Sequence, residues 1–391
     1  MSSTPRIYLD NAATSWPKPE AVYNAIDHYQ RNIGAAAGRG AYCQAQQAQQ
    51  VVNETRSACA RLLGVENPRQ IVFTSSGTTA LNLAIHGILR PGDHVVSTVC
   101  EHNSVLRCLH QHEVENGVHV TYVPCDPRGF VDPAEIKANL QPHTRLVAIT
   151  HASNVTGAIQ PIQEISQLTH RTEAFLLVDA AQTVGCHPID VEKLDIDLLA
   201  CGGHKGLLGP LGTGLLSIRA GLEKQLNPLI HGGTGTDSHT ASQPDQLPEK
   251  YEAGNLNIPA LAGLGAALQT LEQQSVADIK RHQQSLTQQL LHGLSTLPGV
   301  AIYGPTDHEH RVAVVSFDVE GYEPQEFAAA LDASCGIQCR AGLHCAPKMH
   351  TALKTHLRGG LVRMSPGWAT TAIEIENTLE AIADLASQSV P

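Results

Sequence analysis

Short unbroken apolar runs punctuate the chain, and most of them end abruptly in a glycine, a hydroxyl residue or a charge. Residues 7–9, 71–74, 94–98, 146–150, 175–179, 197–201 and 213–218 have this form. Runs that are apolar throughout, rather than alternating, predict strands buried on both faces, as in a parallel sheet covered by helices. Between them lie stretches whose apolar positions recur every three or four residues, which predicts helices over 19–31, 44–63, 80–88, 162–170, 260–273 and 276–294. Val51, Val52, Cys59 and Leu63 share one face of the second of these. A later strand is expected over 312–317. The Gly- and Ala-rich residues 34–40 and the polar residues 231–248 read as loops, the longer one of a kind that is usually functional or mobile. Strands alternating with helices through short connections predict an α/β protein with a mostly parallel sheet. Such sheets carry their chemistry at the carboxyl ends of the strands.

The residues just after each run are therefore the candidates for chemistry. Ser75-Ser76-Gly77-Thr78-Thr79 joins a strand to a helix start, where free N–H groups and the helix dipole suit an anion, although the same string also makes a plain N-cap. Glu101-His102-Asn103-Ser104 comes after the run 94–98, and Asn154 after 146–150. Lys205 lies in Gly202-Gly203-His204-Lys205-Gly206, which by itself is most simply a surface turn. Asp179, closing the run Phe175-Leu176-Leu177-Val178, reverses that preference. A lysine able to form an imine, with a strand-end carboxylate able to pair with a pyridinium nitrogen, is what pyridoxal 5'-phosphate requires. In the last third, Cys345 is flanked by Arg340, Gly342 and His344, an electropositive loop of the kind that lowers a thiol pKa; a buried structural thiol is the alternative.

Composition narrows the function classes. At 391 residues and 42% hydrophobic content the chain can bury a large core, in two domains or in one large and one small. The formal charge of -11 is spread without a basic block, so nucleic acid and anionic membrane have no electrostatic support as partners. No apolar stretch reaches the roughly 18 residues of a membrane span, and Met1 to Arg6 lead into no signal-peptide core, so a cytoplasmic protein is expected. Ten scattered cysteines without a secretory signal favour reduced thiols over a disulfide framework. Cys335 and Cys339 lack a second ligand pair at zinc spacing, so no metal is expected.

With these motifs in this order, from Tyr8-Leu9-Asp10-Asn11-Ala12-Ala13-Thr14 to Val362-Arg363-Met364-Ser365, the chain resembles the class V aminotransferase superfamily of fold type I pyridoxal-phosphate enzymes. Within it, Arg340-Ala341-Gly342-Leu343-His344-Cys345-Ala346 resembles the motif of the cysteine desulfurase and selenocysteine lyase family, group II-like. The resemblance implies a large domain over 20–258 with a mostly parallel seven-stranded sheet flanked by helices, and a smaller α+β domain from 1–19 and 259–391. It implies that Gly77, Thr78 and Thr79 hold the cofactor phosphate, that His102 stacks on its ring, and that Asn154, Asp179, Gln182, His204 and Lys205 complete the cofactor site. Asn154 and Arg363 are implied as substrate ligands, with Lys205 or His102 moving the α-proton and Cys345 as the nucleophile. The implied reaction converts L-cysteine to L-alanine and leaves a persulfide on Cys345 for an acceptor thiol or protein. L-selenocysteine lysis and class V transamination are the alternatives, and a non-catalytic scaffold of the same fold is a further one. A homodimer is implied, with residues 251–257 reaching toward the neighbouring subunit. Two positions depart from the family pattern: Gly202 stands where Ser or Thr is frequent, and Asn255 where Thr is common.

Overall fold

The computed structural model describes residues 6–38, 40–236 and 239–387. The first five residues, Arg39 and residues 237–238 of the two expected loops, and the end of the small domain beyond Ser387 lie outside these.

A seven-stranded sheet forms the centre, in the order Ile71–Thr74, Gly214–Ile218, Leu198–Gly202, Phe175–Asp179, Thr144–Thr150, His94–Thr98, His119–Val123. Gly214–Ile218 runs antiparallel to both of its neighbours, and the other pairings are parallel. The unbroken apolar runs account for this placement: Leu176, Val178, Val147, Ile149 and Leu199 enter the core on one face, and Leu177, Leu146, Ala148 and Leu198 the core on the other. Residues buried on both faces leave no room for alternation. His119–Val123 escaped the sequence reading because it is the edge strand and only Val123 is buried. The helices Asn103–Asn116 and Pro133–Asn139 beside it were missed as well.

A second sheet of four antiparallel strands, in the order Arg340–Gly342, Leu361–Met364, Val315–Val319, Val300–Tyr303, has its own core. Phe317, Phe327, Val362 and Ile375 fill it, joined by Ile7 and Leu9 from the start of the chain. The strand expected over 312–317 is displaced to Val315–Val319. Val312 and Val314 instead pack with Ala12 and Ala152 in a small cluster of their own. The helix Ile258–Gln274 packs its Leu261, Leu264, Leu268 and Leu271 into the large core.

Backbone contact sets the floor of the site. The helix Gly77–Ile88 begins earlier than its apolar pattern, because Ser76 Oγ accepts the Thr79 N–H at 3.1 Å and caps it. A Cβ on Gly214 would lie 2.4 Å from the Ser76 carbonyl carbon, and one on Gly77 would lie 3.0 Å from the Gly202 nitrogen. Only glycines let this helix start sit directly on the ends of two strands.

Candidate active site

A pocket opens at the carboxyl ends of the parallel strands, lined by Gly77, Thr78, His102, Asp179, Gln182, His204 and Lys205. Asn154 lines it too. Five separate motifs thus converge, as the strand-end rule requires. Thr79 is not brought in: its N–H is spent on Ser76 Oγ, and its hydroxyl contacts Ser75 and Ser76. Ser76 lines the wall instead. Gly77 and Thr78 N–H groups, at the first turn, have no acceptor among the described residues. His204 Nδ1 is buried and without a partner there as well. Two N–H groups at a helix N-terminus, with the His204 ring lining the same pocket, make a fitting cradle for a phosphate. A side chain at Gly202 would meet the His204 ring at 3.2 Å, so the departure at this position leaves that ring room. Asn255 is exposed and does not line this pocket.

Burial sets the protonation of the polar walls. His102 is pushed down to about 4, by desolvation first and by the Lys205 and Arg340 charges after it. Its Nδ1 accepts the Ser104 N–H at 3.0 Å as the N-cap of the helix Asn103–Asn116. The ring is therefore neutral with its proton on Nε2, and its lone pair is already engaged. That disposition suits a stacked ring and not a proton carrier, so of the two groups expected to move a proton the geometry favours Lys205. Lys205 is lowered to about 8, by desolvation against the opposing pull of Asp179. Asp179 is itself raised by burial, which the Ala181 N–H (3.0 Å to Oδ1) and the Lys205 charge partly offset. Gln182 Nε2 donates to the Ala12 carbonyl at 3.2 Å.

Beneath this wall lies a carboxyl to which the sequence reading gave no role. Glu101 is fully buried and pushed up to about 8 by desolvation. Its Oε1 accepts from Thr98 Oγ1 at 2.6 Å and from the Thr150 N–H at 3.1 Å, tying two strand ends together, while Oε2 has no partner. An acidic residue directly after an apolar run was the available signal.

The small domain delivers its residues from above. Cys345 and His344 both have left-handed backbone, with φ of 60° and 46°. Two bonds from the large domain hold them: Asn103 N–H donates to the Cys345 carbonyl at 2.7 Å, and Asn154 Nδ2 to the His344 carbonyl at 2.5 Å. Arg340 Nη2 lies 3.7 Å from Cys345 Sγ. The loop differs from its expected exposed form. Cys345 is half-buried, and His344 is buried with both ring nitrogens unpartnered and held well below the usual histidine range by burial. The positive charge at the thiol therefore comes from Arg340 and Arg363.

Arg363, also buried, projects from Leu361–Met364. Its Nη2 donates to Asp10 Oδ1 at 2.7 Å and its Nη1 to the Asn154 carbonyl at 3.2 Å, leaving Nε without a partner. The opening segment, which the family resemblance puts at the mouth of the site, does further work. The His204 carbonyl, next to Lys205, accepts from Ser15 N–H at 3.0 Å, Thr14 Oγ1 at 3.1 Å and Lys18 Nζ at 2.8 Å. Residues 10–18 thus strap the lysine of one domain to the arginine of the other.

Among the described residues no helix is long and apolar enough to cross a membrane. The Aminotransferase class-V family matches residues 7–378. A probable cysteine desulfurase of Methanothermobacter thermautotrophicus is 36% identical, over 97% of this chain and 95% of that protein. The apo structure of a cysteine desulfurase from Thermococcus onnurineus NA1 superposes with a TM-score of 0.91 at 32% identity, covering 98% of this chain and 95% of that one. The cysteine desulfurase CsdA (S-sulfonic acid) from Escherichia coli superposes with a TM-score of 0.88 at 27% identity, over 98% and 95% of the two chains.

Proposed function

The chain belongs to the class-V aminotransferase family and, within it, to the cysteine desulfurases, and from that premise we propose that it is a pyridoxal-phosphate-dependent enzyme converting L-cysteine to L-alanine with transfer of the sulfur to Cys345. The observation that carries the proposal is the meeting of an amine and a thiol from different domains: Asn103 and Asn154 hold the Cys345 loop directly over the pocket of Lys205.

The pocket's residues fit the cofactor. Gly77, Thr78 and His204 would hold its phosphate, Asp179 its ring nitrogen, His102 one ring face, and Lys205 the covalent link. When bound, the cofactor supplies an electron sink for charge developing at the substrate α-carbon. Lys205, lowered to about 8, takes and returns a proton there near neutral pH. Arg363 binds the substrate carboxylate, its guanidinium already oriented by Asp10 and the Asn154 carbonyl. The Cys345 thiolate, beside Arg340, attacks the substrate sulfur. One S–S bond forms, the substrate C–S bond breaks, and the carbon gains a proton to leave alanine and a persulfide. An acceptor thiol or protein then takes the sulfur. We also read the chain as a cytoplasmic homodimer, with residues 253–257 of the segment 251–257 on the shared face, since Tyr251 and Glu252 are packed against Leu226 and Arg56 of their own chain.

Borohydride treatment of the cofactor-loaded protein tests the premise of this chemistry. The expected product is a reduced cofactor fixed to the Lys205 peptide. A protein that takes up no added pyridoxal phosphate would sink the reading.

A further inference from the structure

Two cysteines that the desulfuration does not use stand side by side next to the Cys345 loop. The parallel strands His94–Thr98 and His119–Val123 set Thr98 opposite Val123, and Val99 N–H extends the ladder by donating to the Val123 carbonyl at 3.0 Å. Cys100 and Cys125 each come two residues after that last pair, just beyond the ends of the two strands. The strands they leave lie about 4.8 Å apart, inside the roughly 4.4–6.8 Å between Cα atoms that a disulfide spans. The two thiols lie near enough to shift one another, Cys100 upward and Cys125 downward from the usual thiol range. Both are free thiols in this structure. Cys100 is fully buried and points its S–H to the Gly129 carbonyl at 3.7 Å, whereas Cys125 is only half-buried. One reachable thiol backed by a concealed one is the arrangement of an attacking and a resolving cysteine.

The pair also touches the catalytic machinery through one side chain. Cys125 Sγ lies 3.7 Å from Met349 Sδ. Met349 is fully buried in the short helix Pro347–Ala352, which begins two residues after Cys345. Its Cε crowds Gly129 so closely that a Cβ there would come within 2.9 Å. Met349 is thus wedged between the dithiol and the helix that carries the nucleophile's loop.

We propose that Cys100 and Cys125 form a redox-modification site, closed to an intramolecular disulfide by a low-molecular-weight disulfide of the glutathione type, and that closing it disturbs the helix Pro347–Ala352 through Met349. The Cys125 thiolate attacks one sulfur of the oxidant, forming a mixed disulfide and releasing one thiol. Cys100 then gives up its proton and attacks Cys125 Sγ, and the second thiol leaves. The two protein thiols are oxidised and the small disulfide is reduced, so atoms and electrons balance.

The test uses the cofactor-loaded protein incubated with glutathione disulfide, then alkylated and digested for mass spectrometry. Neither readout depends on turnover, so failure here is separate from failure of the proposed activity. A disulfide-linked pair of peptides containing Cys100 and Cys125, reversed by dithiothreitol, is expected in the wild type. Cys100→Ser should instead retain glutathione on Cys125, and Cys125→Ser should form neither product. Cys43 is exposed and serves as the control that the oxidant is active. Glutathione on Cys43 while Cys100 and Cys125 both remain alkylatable would overturn the proposal. Amide hydrogen exchange across residues 343–353 should rise at least twofold in the oxidised wild type and stay unchanged in Cys125→Ser; unchanged exchange with the disulfide formed would overturn the link to Met349.

Discussion

The lysine pocket and the Cys345 loop meet at one place but are built on opposite principles. The pocket sits on strand ends and a helix start, its backbone regular, its side chains tuned by burial first and by neighbouring charges after it: His102 and His204 lowered to about 4, Lys205 to about 8. The loop has two consecutive residues with left-handed backbone, and its position depends on donors from the other domain. Left-handed backbone at non-glycine residues costs free energy, and persists where surrounding contacts hold it. A pocket of the first kind survives as long as its sheet does. A loop of the second kind is in place only while the domains are docked.

The sharpest way to separate the two is Cys345→Ala. Production of alanine and sulfide from L-cysteine should be abolished, while cofactor uptake by the pocket stays within about twofold of wild type, since the substitution touches no pocket wall. Equal alanine formation by both proteins would show that the thiol is not used, as in a simple aminotransferase.

Asn154→Ala attacks the join itself. The side chain lines the pocket and its Nδ2 holds the loop through the His344 carbonyl. Loss of such a buried bond costs about 1–3 kcal/mol, so kcat/KM should fall about fivefold to a hundredfold. Cys345 should at the same time alkylate faster with iodoacetamide. An unchanged alkylation rate would mean that the bond does not position the thiol.

Glu101→Gln, the smallest expected effect, asks whether burial holds a proton beneath the pocket. Folding raises this carboxyl from 4.5 to about 8. Between those values the folded protein keeps a proton that the unfolded chain has released, so this group's contribution to stability is full below about pH 4.5 and is lost as pH rises toward 8. The amide cannot ionise, so the thermal midpoint of the variant should fall less between pH 5 and 8.5 than that of the wild type. Equal falls would show that Glu101 is ionised in the fold.

Much of this molecule could be read from residue order. A strand buried on both faces is apolar along most of its length, so the central strands of the large sheet announced themselves, and their ends pointed to Gly77, His102, Asn154, Asp179 and Lys205. Half-buried elements did not. His119–Val123 at the sheet edge shows no such run, because only its last residue is covered. The chemistry of the pocket was legible because each group is anchored within a few residues of its own strand.

What the tertiary structure alone decided are the bonds between residues far apart in the chain. Thr79 has the composition of a phosphate ligand, yet a local hydroxyl takes its N–H. His344 sits in a string that reads as electropositive, yet packing buries its ring neutral and leaves the charge to Arg340 and Arg363. Asp10 holds Arg363, and Lys18 holds the carbonyl beside Lys205, across separations that no periodicity encodes. Hydrophobic patterning specifies which face of an element is buried, a property each element carries in its own sequence. Desolvation and hydrogen-bond partnership belong to the environment of a group, and that environment exists only once distant elements have packed.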